Sequence, residues 1–442
     1  MKHGIDTTEV QSGPVPILDV SSAIVGIFGA VSSSFTKDMV KTLTLDDVEK
    51  EFAEELDKPE SALLLNSLRR IYKYSPSATV ITYPLMVPNA NPQRSNDASA
   101  PKEKSNVPTS VLNAKDDEAL QNQVEAVAMD EQMRSDPLFA AFISSLSKIR
   151  TTQMVFGFLP KVFLAPGIID KPGAANQAIA AISKTRGVWI TEPPAASTEE
   201  QAGAFANGIS DYRGICYYPR LQVVRDNGNI ELDWAAPSYA GLIVQMDKNL
   251  TGENLPTGFW CSPSNFKLVD AVGSEFDFDY FPNDSDCAVN QLNAKGIVTT
   301  INYNGIRAFG NRSTAYPSKT DTMTFISWRR TMDMIQEAIE KFTMQFLDRP
   351  MFTQPDDYAN TLIGRVAESV NDYLRDKIGE SIVFGECFIK EEQNPLSQLM
   401  QGKIKFHYKV TPCIAMESVE YESEVYVKGL EDALSQLLGG NS

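Results

Sequence analysis

Histidine is nearly absent: His3 and His407 are the only two in 442 residues. A Ser-His-Asp triad would have to use one of them, and both positions read as surface. No GxSxG nucleophile elbow, GxxxxGKS/T phosphate loop or GxGxxG dinucleotide fingerprint occurs. Cysteine is sparse too. Cys216, Cys261, Cys287, Cys387 and Cys413 never lie closer than 26 positions, which excludes a CxxC metal or redox pair. Their odd number, without a secretion signal, fits reduced thiols that pack as small hydrophobes. No apolar run approaches the roughly 20 residues of a membrane span. The opening MKHGIDTTEV lacks the apolar core of a signal peptide. Positive charge is in deficit: 40 Lys and Arg face 57 Asp and Glu, a net −17. A general nucleic-acid binder needs the opposite balance.

What is present is an ordinary globular composition, 43% hydrophobic and 9% aromatic. The length suffices for two or three domains with a full core. Pro14, Pro16, Gly4 and Gly13 make residues 1–20 an extended arm rather than a helix. The run from Ser22 to Ala30 reads as a buried strand. Helical periodicity follows over Leu45–Leu56 and Ser61–Tyr72, then a β-branched strand over Ala78–Leu85. Pro88–Pro108 is polar and rich in breakers, a surface loop or insertion, and Asp116–Arg150 reads largely helical. From Lys161 onward strands and helices alternate: Val162–Ala165, Ala174–Thr185, Val188–Thr191, Thr198–Ser210 and Gly214–Tyr218. That alternation implies a mostly parallel sheet with helices on both faces. Asp226-Asn227-Gly228 signals a hairpin. A long helix is expected over Arg330–Leu347, stopped by Pro350.

The last sixty residues show clear period-two patterns. Ile404, Phe406, Tyr408 and Val410 alternate with Lys403, Lys405, His407 and Lys409, a strand with one apolar and one basic face. Val419, Tyr421, Val425 and Val427 alternate with Glu420, Glu422 and Glu424, which predicts a second strand with an acidic face. Such strands suit pairing with each other or with other strands. The acidic stretch Glu275, Asp277, Asp279, Asp284 and Asp286 lacks the glycine-turn spacing of a calcium loop and reads as a solvated loop. Arg307, Arg312, Arg329 and Arg330 form the densest cationic group. They suit either bridges between subunits or domains, or an intramolecular brace.

Residues 287–330 carry the most specific pattern. An Asn293 to Gly296 turn precedes Gly305-Ile306-Arg307, Phe309-Gly310-Asn311-Arg312-Ser313 and Ser327-Trp328-Arg329-Arg330. This resembles the contractile tail sheath proteins of bacteriophages, with Phe309 where Trp is usual and Ser313 where Thr is usual. Other segments are similar to that family as well. They are the opening His3-Gly4-Ile5 through Ser21–Gly26, Lys161–Gly167 ending in Pro-Gly, Tyr217-Tyr218-Pro219, and Pro237-Ser238 with Ala240-Gly241.

The resemblance implies a mostly parallel α/β sheet with flanking helices, an α+β C-terminal domain and extended N- and C-terminal arms. It divides the chain into an arm at 1–20 and a sheath domain at 21–87 and 151–312, interrupted by an outer insertion at 88–150. An inner domain at 313–415 and an arm at 416–442 follow. The implied function is structural, with no cofactor: many copies polymerise helically around a tail tube and contract to drive it through a cell envelope, without nucleotide. The implied partners are further copies, the tube protein, and baseplate and tail terminator proteins, with no direct nucleic-acid contact and no membrane insertion. The implied location is the virion tail, assembled in the host bacterial cytoplasm. Ile5, Val10, Pro16, Ile17, Val419, Tyr421, Val425 and Val427 become candidates for strand exchange between subunits. Two charged helices, Arg330–Leu347 and Asp356–Lys377, become candidates for the tube contact, with one of their apolar stripes expected in the core. The alternative is an intracellular α/β hydrolase-like enzyme, against which the missing motifs argue.

Overall fold

The computed structural model describes residues 16–86, 136–170, 172–352 and 361–439. Its strands are β1 (Ile24–Val31), β2 (Val40–Thr42), β3 (Thr79–Met86), β4 (Val162–Leu164), β5 (Val188–Thr191), β6 (Gly214–Tyr217), β7 (Leu221–Val224), β8 (Ile230–Asp233), β9 (Ala271–Ser274), β10 (Ile297–Asn302), β11 (Ile306–Phe309), β12 (Ile382–Ile389) and β13 (Phe406–Pro412). Its helices are α1 (Leu45–Glu51), α2 (Ala62–Tyr74), α3 (Pro137–Ser145), α4 (Lys148–Phe156), α5 (Pro172–Ile182), α6 (Glu199–Ile209), α7 (Ala236–Asp247), α8 (Ala288–Asn293), α9 (Ile326–Met344), α10 (Leu362–Lys377), α11 (Leu396–Leu399) and α12 (Lys428–Gly439).

Eight strands form the main sheet in the order β11-β10-β6-β5-β4-β1-β3-β2. β10, β6, β5, β4, β1 and β3 run parallel, and β11 and β2 close the two edges antiparallel. The parallel strands are short runs buried on both faces, as helices on either side of a sheet require. Alternation sorts their side chains. Val25, Ile27, Val188 and Ile190 join Leu64, Leu68, Ile71, Leu242 and Ile243 of α2 and α7 on one face. Ile24, Phe28, Phe163 and Trp189 meet Phe142 of α3, Ala178 of α5 and Phe205 of α6 on the other. There the Trp189 ring stacks on Phe163 at 5.5 Å and meets Phe142 edge-on at 6.0 Å.

Two glycines in the 287–330 pattern have steric reasons. Gly296 adopts φ +71° as α8 turns into β10, and a Cβ there would stand 2.5 Å from the Tyr316 carbonyl oxygen. Gly310 has φ +135°, and its Cβ would stand 2.9 Å from the Val298 Cα. Backbone cannot yield as a flexible side chain can, so only glycine fits both turns.

The chain adds what alternation alone did not suggest: a three-stranded antiparallel sheet, β8-β7-β9, built on the Asp226-Asn227-Gly228 hairpin. A second unit packs α9 and α10 against a two-stranded ribbon, β12–β13. Ile335, Ala338, Val370, Tyr373, Leu374, Ile382 and Cys387 are its core, with Ile17 packed against them.

Three expectations are corrected. The long helix spans Ile326–Met344 rather than Arg330–Leu347, so Arg329 as well as Arg330 lies within its first turns. Of the two pairings left open for the basic strand, it takes the one with another strand, β12. Residues 417–426 form no strand, because a strand exists only through a ladder partner and they have none among the described residues; α12 follows instead. Both apolar stripes of the long helices are core: Met334, Ile335 and Phe342 in α9, and Val366, Val370 and Leu374 in α10, are buried. Ile5 and Val10 lie outside the described residues, as does most of the 88–150 insertion.

Candidate functional site: a charged seam and an uncovered tail

Beside its apolar stripe, α9 carries a charged one: Arg329, Arg330, Asp333, Glu337, Glu340 and Lys341. Its counter-charges come from residues just before successive parallel strands. Lys161 precedes β4, Arg186 precedes β5 and Arg213 precedes β6. The helix therefore lies across the amino ends of the sheet, held rung by rung. Asp333, nearly inaccessible, is gripped from both sides: Arg213 bonds both its oxygens at 2.6 and 2.9 Å, and Arg329 does so at 3.1 and 2.7 Å. Lys161 is bonded to Glu337, to which Lys341 adds a contact at 2.9 Å. Arg186 reaches Gln336 at 2.9 Å and pairs with Glu340. Arg330 pairs with Asp247 at the end of α7.

Lys161 and Glu337 are both buried. Burial pulls the Lys161 ammonium below the usual lysine range. Burial alone would raise Glu337, but the charges and hydrogen bonds of Lys161 and Lys341 together outweigh it and hold the carboxyl down. Such a pair is costly to break from one side, because the abandoned charge stays buried.

A second buried network ties α2 and α7 to the small sheet. Arg70 bonds Asp270 at 2.9 Å, Asp233 at 3.1 Å and the Trp234 carbonyl at 2.7 Å. Near it the Glu192 carboxyl group, just after β5, accepts the Ala235 N–H at 2.5 Å, at the amino end of the largely buried α7. Desolvation pushes Glu192 up to about 8.

The arginines singled out in sequence occupy distinct places. Arg307 braces one loop, bonding Glu253 at 2.9 Å and the Asn265 and Tyr303 carbonyls at 2.6 and 2.8 Å. Arg312 holds Glu417 in a fork, Nε to one oxygen at 2.9 Å and a terminal nitrogen to the other at 2.5 Å. It also donates to Thr324 and lies 3.6 Å over the Phe325 ring. Arg329 and Arg330 belong to the seam. Sequence reasoning missed Lys161, Arg186 and Arg213. Charges spaced along the α9 stripe were a signal for the helix side; nothing marks partners more than 100 positions away.

Beyond Glu417 the described residues, to Gly439, are largely uncovered. Val419, Tyr421, Val425 and Val427 are exposed, Tyr421 at 89% and Val425 at 86%. In α12, Leu430, Leu434, Leu437 and Leu438 form a stripe at helical spacing that touches no core, Leu437 being 76% exposed. At the other end Pro16 is exposed, and Asp19 bonds Tyr373 at 2.9 Å and Lys377 at 2.5 Å. The acidic stretch is an exposed loop rooted by Arg220, which forks onto Glu275 at 3.1 and 2.6 Å. His407 lies on the outward face of the ribbon, 4.8 Å from the Phe388 ring.

No family model matches the chain. Curated relatives do, over nearly its whole length. The tail sheath protein of Burkholderia phage BcepMu is 26% identical over 495 aligned residues, covering 99% of each chain. The tail sheath protein of Escherichia phage P2 is 21% identical over 440 residues, covering 98% of each. Among solved structures, the sheath complex of an extracellular contractile injection system in its contracted state shares the fold. It has a TM-score of 0.63 at 14% identity, covering 97% of this chain and 99% of that one. The chain is thus similar over nearly its whole length to contractile tail sheath proteins of phages.

Proposed function

We propose that this chain is the repeating subunit of a contractile tail sheath. Copies stack helically around a tail tube, and the array shortens to drive the tube through a target envelope. The observation that supports this most strongly is full-length similarity to sheath proteins in a fold whose own tail stays uncovered. A lone subunit exposes eleven large apolar side chains between Ile414 and Leu438 (Ile414, Met416, Val419, Tyr421, Val425, Tyr426, Val427, Leu430, Leu434, Leu437, Leu438). Apolar surface of that extent needs a partner.

In this reading residues 416–442 and 1–20 are arms that pair with other subunits, with Pro16, Val419, Tyr421, Val425 and Val427 among the contacts, while Ile17 anchors the N-terminal arm on its own subunit. The unit at 313–415 faces the tube, the sheet at 21–87 and 151–312 is the sheath body, and 88–150 faces outward. Tube, baseplate and terminator proteins are the partners, and the virion tail is the location. Contacts that repeat without closing make an open filament. The energy for shortening lies in the difference between two packings of one subunit. The seam would make each subunit move as one piece, while Arg307, Arg312, Arg329 and Arg330 brace it internally.

Negative-stain microscopy of the expressed full chain tests the reading. Long hollow sleeves support it; small uniform particles with turnover of a substrate would favour a hydrolase. Deleting residues 1–18 is expected to leave a folded core that forms no ordered sleeve.

A further inference from the structure

The chain contains both a sheet edge and a strand-forming segment that match, and it leaves them apart. His407 and Lys409 of β13 alternate with its core-facing residues, Lys405 just precedes the strand, and Lys390 and Lys409 stand 5.6 and 5.2 Å from the Phe388 ring centre. The other edge of β13 has no ladder partner among the described residues. In the tail, Glu420, Glu422 and Glu424 alternate with Val419, Tyr421 and Val425. The antiparallel register that sets Glu420 against Lys409 also sets Glu424 against Lys405 and Tyr421 against Tyr408. Cross-strand pairs of opposite charge and of aromatics are the favourable ones. Only a short loop separates Val410 from Val419, so the tail could fold back on its own β13 as a hairpin.

It does not. The Cys413 N–H donates to the Ser381 carbonyl at 3.1 Å, carrying the chain onward past the amino end of β12. Four residues later Arg312 takes Glu417 in its two-pronged grip. Arg312 is itself fixed, donating to Thr324 at 2.6 Å and lying 3.6 and 4.9 Å from the ring centres of Phe325 and Tyr316. A planar guanidinium held by a hydrogen bond and by ring contacts presents its fork in one direction. We propose that this clamp decides partner choice: by holding Glu417, Arg312 bars the tail from its own β13 and leaves that basic edge for the acidic tail of another copy. The proposal rests on the sheath reading and adds to it the residue that directs exchange between subunits. Arg312 is a positioning residue, and it stands inside the Asn311-Arg312-Ser313 motif.

The test uses the full chain. Hydrogen exchange is measured on unassembled subunits, and sleeve yield by negative stain. Glu417→Ala leaves the Arg312 pocket intact and removes the grip. Its monomers are expected to gain at least tenfold protection at the amides of residues 419–425, as the hairpin closes within the subunit, and sleeve yield is expected to fall at least tenfold. Arg312→Glu alone behaves alike, and Arg312→Glu with Glu417→Arg restores both readouts, which a merely structural loss would not do. Unchanged protection of the Glu417→Ala tail overturns the clamp. So does wild-type sleeve yield from that variant. Wild-type chain that forms no sleeves defeats the sheath reading instead, while the exchange measurement on monomers still decides the clamp.

Discussion

Replacing Lys161 by methionine removes the cationic half of the innermost rung of the seam. Lys161 is 4% exposed and donates to Glu337 and to the Thr185 carbonyl at 3.0 Å. Breaking a buried pair from one side costs about 3–5 kcal/mol. Glu337 would keep Lys341, a half-exposed partner at 2.9 Å, so Lys161→Met belongs near about 3 kcal/mol. Glu337→Gln strands the lysine with weaker acceptors and belongs near about 4 kcal/mol. The double variant Lys161→Met, Glu337→Leu removes both desolvation penalties and is expected within about 1 kcal/mol of wild type. Hydrogen exchange at α9 reads this locally, without assuming that the whole chain unfolds in one step. A loss of about 3 kcal/mol speeds exchange there by roughly 150-fold. Single variants that leave α9 protection unchanged would refute the reasoning, as would a double variant as damaging as the sum of the singles.

Glu192 gives a pH prediction. Its folded-state value is raised from 4.5 to about 8, so between those values the folded chain holds a proton that the unfolded chain does not. Stability from this group is complete below 4.5 and is lost as pH rises through 8. Glu192→Gln is expected to flatten the decline between pH 5 and 8, where the group contributes at most about 4 kcal/mol; an identical slope in the variant denies the assignment. Gly296→Ala must place a methyl against the Tyr316 carbonyl at positive φ. A loss above about 2 kcal/mol in urea unfolding is expected, and a neutral result would show that the turn can relax. Leu434→Asp with Leu437→Asp touches nothing within the subunit. Its thermal unfolding is expected to match wild type while sleeves fail to form, and normal sleeves would show that α12 takes no part in assembly.

The α/β body was legible because parallel strands buried on both faces read as short apolar runs between helices. Val188–Thr191 was placed to the residue, and Gly214–Tyr217 and α6 within one. β12 was not, because Gly385 and Glu386 interrupt its apolar run and its alternation is only half buried. The alternation at Val419–Val427 was genuine as a pattern, yet strand formation is a property of a pair, and no strand pairs with it among the described residues. The charges of α9 could be seen along one chain segment. Their counter-charges could not, since Lys161, Arg186 and Arg213 meet the helix only through the sheet that aligns the amino ends of β4, β5 and β6.

The central claim is that subunits are linked through tails that the isolated fold leaves uncovered. Helical reconstruction of assembled sleeves by electron cryomicroscopy tests it most directly, by tracing residues 417–439 from each subunit. The account predicts that every tail leaves Arg312 and lies as a strand on β13 of another copy, with α12 buried against that neighbour. A tail traced back onto its own β13, or left uncovered in a well-ordered sleeve, would contradict it.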